Sequence, residues 1–408
     1  MKILMVNKFH YIKGGSETYY FALKEMLEKD GHQVIDFSMA DDKNFPSPYE
    51  TYFVDNVDYG ARQSIIRKIK LSFKIIYSFE AKKKFEALVK KEKPDIVHLH
   101  IFQHQISPSI LDVCKKYHIP TVYTAHDLKM ICANYKMMHH GHICEDCMGG
   151  KLYRCTINKC VKDSFVKSMA NMFESYFHRW RRSYDVIGRI ITPSDFYRTK
   201  FIDFGIESER VVHIPNFLIK LQPTINVNEE SRKYYLYFGR LSEEKGVLTL
   251  IKSFENTELP LYIVGTGPLD EELNGYLEKK RIANVKMLGF QSGQILTDIV
   301  GNAKAVIVPS EWYENGPYSA IEALQMGRPI IGAKIGGIPE LVNGNGFLFQ
   351  TGSVNDLKRV ISKFESLSEE EYLSFERRSK EIFESNYTWK KHSEQLYRAY
   401  RECLTFKQ

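Results

Sequence analysis

Trp312-Tyr313-Glu314-Asn315-Gly316-Pro317-Tyr318-Ser319-Ala320-Ile321-Glu322 follows the apolar run Ala305-Val306-Ile307-Val308 and reads as a loop that turns into a helix. Pro at a first helical position with Gly just before it marks a helix N-terminus. Glu314 therefore lies in the loop ahead of the helix, and Glu322 lies about one turn inside it. Between them, the backbone N–H groups of Tyr318 and Ser319 lack intrahelical acceptors and make an anion site. Two hydroxyl-binding carboxylates around a phosphate-binding helix end suit a ligand built as polyol, diphosphate and polyol in series. A nucleotide-sugar has that layout.

Outward from this stretch the same strand-to-helix rhythm repeats. In the C-terminal half it runs through Tyr234-Tyr235-Leu236-Tyr237-Phe238, Leu261-Tyr262-Ile263-Val264 and Ala305–Val308, ending near Pro329-Ile330-Ile331. In the N-terminal half it runs through Lys2–Asn7, a helix from about Glu17 to Lys29, Gly31–Phe37, Asp95–His100 and Pro120–Thr124. Alternation of this kind indicates parallel βαβ units. Pro215, Pro223 and the polar run Asn226–Glu230 interrupt it between Asn216 and Lys233. The expected division is an N-terminal Rossmann-like domain over 1–220 with an insertion near 132–160, a second over 221–388, and a terminal helix over 389–408. Two such domains are expected to face each other across a cleft.

A chain of 408 residues, 43% of them hydrophobic, exceeds one ordinary core and agrees with two α/β domains. No run approaches the roughly 18 uninterrupted apolar residues of a spanning helix, and the opening Met-Lys-Ile-Leu-Met-Val-Asn-Lys is too short in apolar residues for a signal peptide. A cytoplasmic protein is expected. The net charge of +7 is local: Arg62–Lys93 carries eleven Lys/Arg against three Glu, and Lys151–Lys200 eleven against four acids. In the first window Ile65, Ile69, Phe73 and Ile76 recur at helical spacing among Lys68, Lys70 and Lys74. That pattern reads either as a solvated helix packed on the core or as an interfacial helix over 62–93 on anionic lipid, at the cytoplasmic face of the plasma membrane. No nucleic-acid-binding motif accompanies the charge.

Gly14-Gly15 falls between the first strand and the first helix, where glycine permits close backbone approach and positive φ; the loop lacks the Gly-Lys-Ser/Thr ending of a Walker motif. Arg240 and Lys245, in Phe238-Gly239-Arg240-Leu241-Ser242-Glu243-Glu244-Lys245-Gly246, follow a strand directly. Two cations there neutralise a diphosphate leaving group, a task otherwise given to a divalent metal. No Asp-X-Asp motif is apparent in a metal-binding context, so no cofactor is expected for catalysis. His126, in Thr124-Ala125-His126-Asp127, ends another strand.

Glu314, seven residues, Glu322, then Ala323-Leu324-Gln325-Met326-Gly327-Arg328-Pro329-Ile330-Ile331 and Gly336-Gly337-Ile338-Pro339-Glu340 resemble the donor site of retaining GT-B glycosyltransferases of family GT4. The Gly-Arg-Leu…Glu-Lys-Gly loop and the His-Asp pair resemble the same family, and the likeness runs from Met1 to about Tyr400. It implies a GT-B fold whose final helix crosses back to the first domain. It also implies that Glu314 binds hydroxyls of the donor sugar and Glu322 those of the ribose. Asn315, Gly316 and Pro317 would border the sugar, while Tyr318, Ser319 and the Gly14-Gly15 loop would serve the diphosphate. His126 would contact the transferred sugar near its reacting carbon, with Asp127 orienting or capping. Asn216 would sit at the hinge and Phe290 would wall the base. UDP is expected before GDP on family frequency, with transfer to a glycan or lipid-linked saccharide in bacterial surface polysaccharide synthesis. A GT-B-fold nucleotide-sugar epimerase and a non-catalytic nucleotide-sugar-binding protein are the alternatives, distinguished by whether labelled donor appears on an acceptor, epimerised or unchanged.

Six of the seven cysteines lie between Cys114 and Cys160, four of them as Cys144-X2-Cys147-X7-Cys155-X4-Cys160. In a cytosolic enzyme such pairs suggest structural zinc before disulfides, with His139, His140 and His142 as substitute ligands. A disulfide or redox pair and buried free thiols stay open. Similar cysteine-bearing insertions follow the His-Asp motif in some of the resembled transferases.

Overall fold

The computed structural model describes residues 1–56, 76–219 and 232–405. The stripe Ile65–Phe73 and the linker residues Pro223 and Asn226–Glu230 lie outside them. The chain divides into two units, Met1–Ile214 with Ser393–Gln408, and Pro215–His392.

In chain order the strands are β1 (Lys2–Val6), β2 (Gln33–Phe37), β3 (Ile96–Leu99), β4 (Thr121–Thr124), the two-residue β5 (Met138–His139) and β6 (His142–Ile143), β7 (Ile187–Thr192) and β8 (Val211–His213). They are followed by β9 (Tyr235–Phe238), β10 (Leu261–Val264), β11 (Val285–Met287), β12 (Ala305–Val308), β13 (Ile330–Ala333) and β14 (Gly346–Phe349). The first unit holds a parallel sheet in the order β2-β1-β3-β4-β7-β8, the second one in the order β11-β10-β9-β12-β13-β14. Both sheets are covered on their two faces, which is why β1, β9, β12 and β13 are apolar runs without alternation. Strand order reverses at β1 in the first sheet and at β9 in the second. Ligands of such sheets bind beyond the strand C-termini at these reversals.

Helices follow from spacing and caps. Gly15–Lys29 buries Tyr19, Tyr20, Leu23 and Leu27 at helical intervals. Ser78 accepts from the Ala81 N–H to start Phe79–Glu92, and Ser368 with Glu371 forms a capping box ahead of Glu369–Asn386. The last helix, Trp389–Thr405, begins in the second unit, where Trp389 packs on Phe217 and His392 Nδ1 lies 2.8 Å from the Pro215 carbonyl. It ends in the first, where Tyr400 shares a 2.7 Å hydrogen bond with His98 Nδ1 and Arg189 donates to Glu402 at 3.0 Å.

One helix buries polar residues, while its Met172 and Tyr176 pack on the cysteine-rich segment. Phe165–Trp180 turns Ser168, Glu174 and His178 inward, where Lys129 Nζ donates to Glu174 at 2.8 Å and to the Ala133 carbonyl at 2.9 Å. Its outer face carries Phe165, Val166, Phe173 and Trp180, and Trp180 is 82% exposed. At 100° per residue these four fall within about a third of the helix circumference.

Candidate functional site

In the second unit the site forms where β9 and β12 end. The loop after β9 delivers Lys245 and the loop after β12 delivers Glu314, whose carboxylate is buried. Lys245 Nζ, Ser310 Oγ and Trp312 Nε1 all donate to Glu314 Oε1, at 2.6, 2.6 and 2.8 Å. Burial alone pushes this carboxyl up, yet the Lys245 ammonium and the three donors outweigh it and hold the pKa below the ordinary value. Two glycines make the approach feasible. Gly246, at φ +66°, passes so close to the Pro309 carbonyl that a Cβ has no room. At Gly336, φ +58°, a Cβ would stand 2.5 Å from the Glu314 nitrogen and 2.7 Å from its oxygen, and the Gly337 N–H donates to that oxygen at 2.8 Å.

Pro317 is the N-cap and Tyr318 the first residue of the helix Tyr318–Gln325, one position later than the sequence indicates. Gly316 takes φ +68° and its carbonyl accepts from Asn216 Nδ2 at 3.0 Å, leaving Asn216 Oδ1 buried with no partner among the described residues. Ala320 and Ile321 N–H bond back to Pro317, so the Ser319 amide stands ahead of the intrahelical ladder. Glu322 has no hydrogen-bond or ionic partner among the described residues, and burial pushes its pKa up to about 7. A carboxylate placed this way lacks only a donor. The Arg240 side chain is exposed, and Phe290 is 72% exposed.

In the first unit the candidates gather at the C-terminal ends of β1, β3 and β4. Gly14 is the N-cap of its helix at φ −171°, and Gly15 is that helix's first residue. The expected positive φ is therefore absent, because the chain enters the helix through extended backbone. A Cβ at Gly14 would meet only Glu17 Oε2, at 3.8 Å, so the protein itself leaves this space open. Tyr19, one turn on, sets its ring 5.1 Å from that of His126. His126 Nε2 and His100 Nδ1 share a 3.1 Å hydrogen bond, and His100 stacks in turn on His98. Burial lowers His126 to about 3, so it is a neutral imidazole, one donor and one acceptor, at ordinary pH. Asp127, raised by burial, accepts from the Lys129 N–H at 2.9 Å and caps its own loop. Sequence reasoning missed Ser310, Trp312 and His100; nothing in their spacing announces them, since each acts through a contact made by the fold.

After β4 the chain makes a cysteine-rich segment. Cys132, Cys144, Cys147, Cys155 and Cys160 line one small pocket, all as free thiols. Cys132 is the fifth member, absent from the sequence-based set. Of the three histidines, His139 lies with Cys144 and Asp146, the ligand atoms within 4.8 Å of one another; His140 Nδ1 pairs with Asp163 at 3.2 Å.

Residues 13–218 match the model of Glycosyltransferase Family 4, and residues 220–382 that of Glycosyl transferases group 1. An uncharacterized 42.6 kDa protein in the cps region of Klebsiella pneumoniae is 23% identical over 84% of this chain and 87% of its own length. The lipopolysaccharide 1,2-N-acetylglucosaminetransferase of Salmonella typhimurium is 25% identical over 59% of this chain and 67% of its own. Among solved structures, Anabaena HepE in complex with UDP and glucose superposes with a TM-score of 0.65 at 18% identity, covering 98% of this chain and 99% of that one.

Proposed function

Given that the chain belongs to glycosyltransferase family 4 and is a glycosyltransferase of GT-B fold, we propose that it moves a sugar from a nucleotide-sugar, UDP-linked before GDP-linked, with retention and without a catalytic metal. The observation that carries this reading is the pairing of Lys245 with buried Glu314 ahead of the helix Tyr318–Gln325, with Glu322, partnerless among the described residues, one turn inside. Glu322 takes the ribose hydroxyls, the Ser319 amide and the cations Lys245 and Arg240 take the diphosphate, and Glu314 takes a hydroxyl of the sugar. Asn315, Gly316 and Pro317 line the sugar, and the backbone at Gly14-Gly15 is open to phosphate.

In the reaction the bond from the anomeric carbon to the leaving phosphate breaks, and its electron pair goes to the phosphate oxygen. Lys245, Arg240 and the helix dipole stabilise that charge. The acceptor hydroxyl forms the new bond on the same face and passes its proton to the departing phosphate oxygen. Neither glutamate becomes covalently bonded to the sugar, and neutral His126 donates or accepts one hydrogen bond without supplying charge. UDP and glucose in HepE support the donor class. The capsule-region protein of Klebsiella and the lipopolysaccharide transferase of Salmonella support a surface-polysaccharide acceptor.

The acceptor we propose is a saccharide on a lipid carrier at an anionic membrane face. Support comes from the outward apolar face of Phe165–Trp180, where Val166 is 67% exposed, set among Lys159, Lys162, Lys167, Arg179 and Arg182. No helix of the described residues is long and apolar enough to cross a membrane. The deciding experiment incubates the protein with a panel of labelled nucleotide-sugars and lipid-linked saccharides. Labelled product of retained anomeric configuration, formed in the presence of EDTA, is the expected result. Epimerised donor, inverted product or strict metal dependence overturns the proposal.

A further inference from the structure

The segment 132–160 is poor in regular structure. It holds the two-residue strands β5 and β6 and the single turn Arg154–Ile157, and its own buried cluster is Ala133, Cys147, Leu152 and Cys155. So small a core does not hold a loop of this length in one conformation, and proteins in that position add a disulfide or a metal. The backbone nonetheless brings five thiols to one pocket. Cys132 ends the turn after His126, its N–H on the Leu128 carbonyl at 2.8 Å. The β5–β6 hairpin returns the chain so that the Cys144 N–H meets the Met137 carbonyl at 2.8 Å, and the Cys160 N–H meets the Cys155 carbonyl at 3.1 Å.

The five are not equivalent. Cys155 is buried against the helix Phe165–Trp180, with its Sγ 4.0 Å from the Ser168 carbonyl. Cys132, Cys144, Cys147 and Cys160 line the same small pocket, though no three of these sulfurs lie within 4.8 Å of one another. Cys144-X2-Cys147 has the spacing of a zinc knuckle, and two further thiols from separate loops complete the usual four-sulfur set. The trio His139, Cys144 and Asp146 has its ligand atoms within 4.8 Å of one another, but it offers three ligands of mixed type, short of the four that close a structural zinc site.

We propose that Cys132, Cys144, Cys147 and Cys160 bind one structural zinc ion as thiolates, tying the loop after His126 to the segment 138–160. Four thiol protons are released as the ion binds. Closure requires the four sulfurs to draw together, with the Cys160 thiol leaving its contact with Cys155. Asn158 Nδ2, 3.9 Å from Cys144 Sγ, is then a donor to a metal-bound sulfur. Cys155 stays a buried thiol on the Ser168 carbonyl.

The test is metal content of the full chain, purified under reducing conditions without chelator, by elemental analysis and by zinc release on titration with a mercurial thiol reagent. One zinc per chain is expected, released as four thiols are modified. Cobalt in its place should give the intense visible bands of a tetrahedral thiolate site. Cys132→Ser and Cys160→Ser should each lose bound metal, while Cys155→Ser and Cys114→Ser keep it. Because the wild-type measurement stands alone, a variant that misfolds leaves the proposal falsifiable. Four outcomes overturn it: no stoichiometric metal after zinc reconstitution, iron in place of zinc, a disulfide found by alkylation under denaturing conditions, or equal metal loss in Cys155→Ser. None of these readouts depends on transferase activity.

Discussion

Replacing Glu322 by Gln should strengthen the free protein and weaken its grip on nucleotide. Burial raises the Glu322 carboxyl from 4.5 to about 7, with no partner among the described residues to offset it. Between those two values the folded protein keeps a proton that the unfolded chain has lost, so stability falls as pH rises through this window. At about 1.4 kcal/mol per pKa unit the full penalty above the folded pKa is about 3 kcal/mol. The residue is partly exposed, so solvent reduces that figure, and about 2 kcal/mol is the working expectation. For a unit of this size that corresponds to roughly 4–8 °C in melting temperature. A neutral amide in the same place carries no such penalty. Thermal melts at about pH 8 should therefore show the Glu322→Gln variant more stable than the parent, and melts at about pH 4.5 should show no gain. Saturating UDP should raise the parent's melting temperature and shift the variant far less, because hydrogen bonds to a charged acceptor are worth about 1.5–3 kcal/mol. A variant destabilised at both pH values, with its UDP shift intact, would refute the argument that this carboxylate stands ready for ligand hydroxyls.

Glu314→Gln should bind UDP as the parent does and lose transfer by about a hundredfold or more, read by product formation under saturating donor. Lys245→Met strands a buried carboxylate and should cost about 3 kcal/mol of stability in denaturant melts, besides abolishing transfer. Gly336→Ala forces a Cβ onto the Glu314 backbone at positive φ, so it should destabilise the second unit by more than the roughly 1–2 kcal/mol of the backbone conformation alone. The pair Phe173→Ser and Trp180→Ser should leave the melting temperature unchanged while removing co-sedimentation with phosphatidylglycerol vesicles. Retained co-sedimentation would move the membrane contact elsewhere.

The sequence revealed most where one residue does one local job. Pro317 after Gly316 located a helix start, and continuous apolar runs located β1, β9, β12 and β13, because a strand covered on both faces has no polar side to display. It revealed less of β7, which lies one strand in from an edge, and of the short edge strands β8, β11 and β14. Ile187–Thr192, Val211–His213, Val285–Met287 and Gly346–Phe349 went unread; three of them are only three or four residues long, and tertiary pairing, not local propensity, makes them strands. Around the site, Glu314 was legible from its motif, but Ser310 and Trp312 were not, since their function is to donate to one oxygen of Glu314. Phe165–Trp180 buries polar residues while Phe173 and Trp180 face out, and periodicity cannot tell which face of an amphipathic helix is buried.

The terminal helix has a consequence for how the molecule is made. Tyr400, Glu402 and Cys403 belong to the interior and rim of the first unit: Tyr400 pairs with His98, Glu402 with Arg189, and Cys403 with the Thr121 carbonyl at 3.4 Å. A nascent chain emerging N-terminus first therefore exposes β3, β4 and β7 long before the residues that finish their packing leave the ribosome. Maturation of the first unit waits on residues made long after its own strands, and stop codons just upstream of Trp389, which remove this helix, should yield aggregates rather than soluble enzyme.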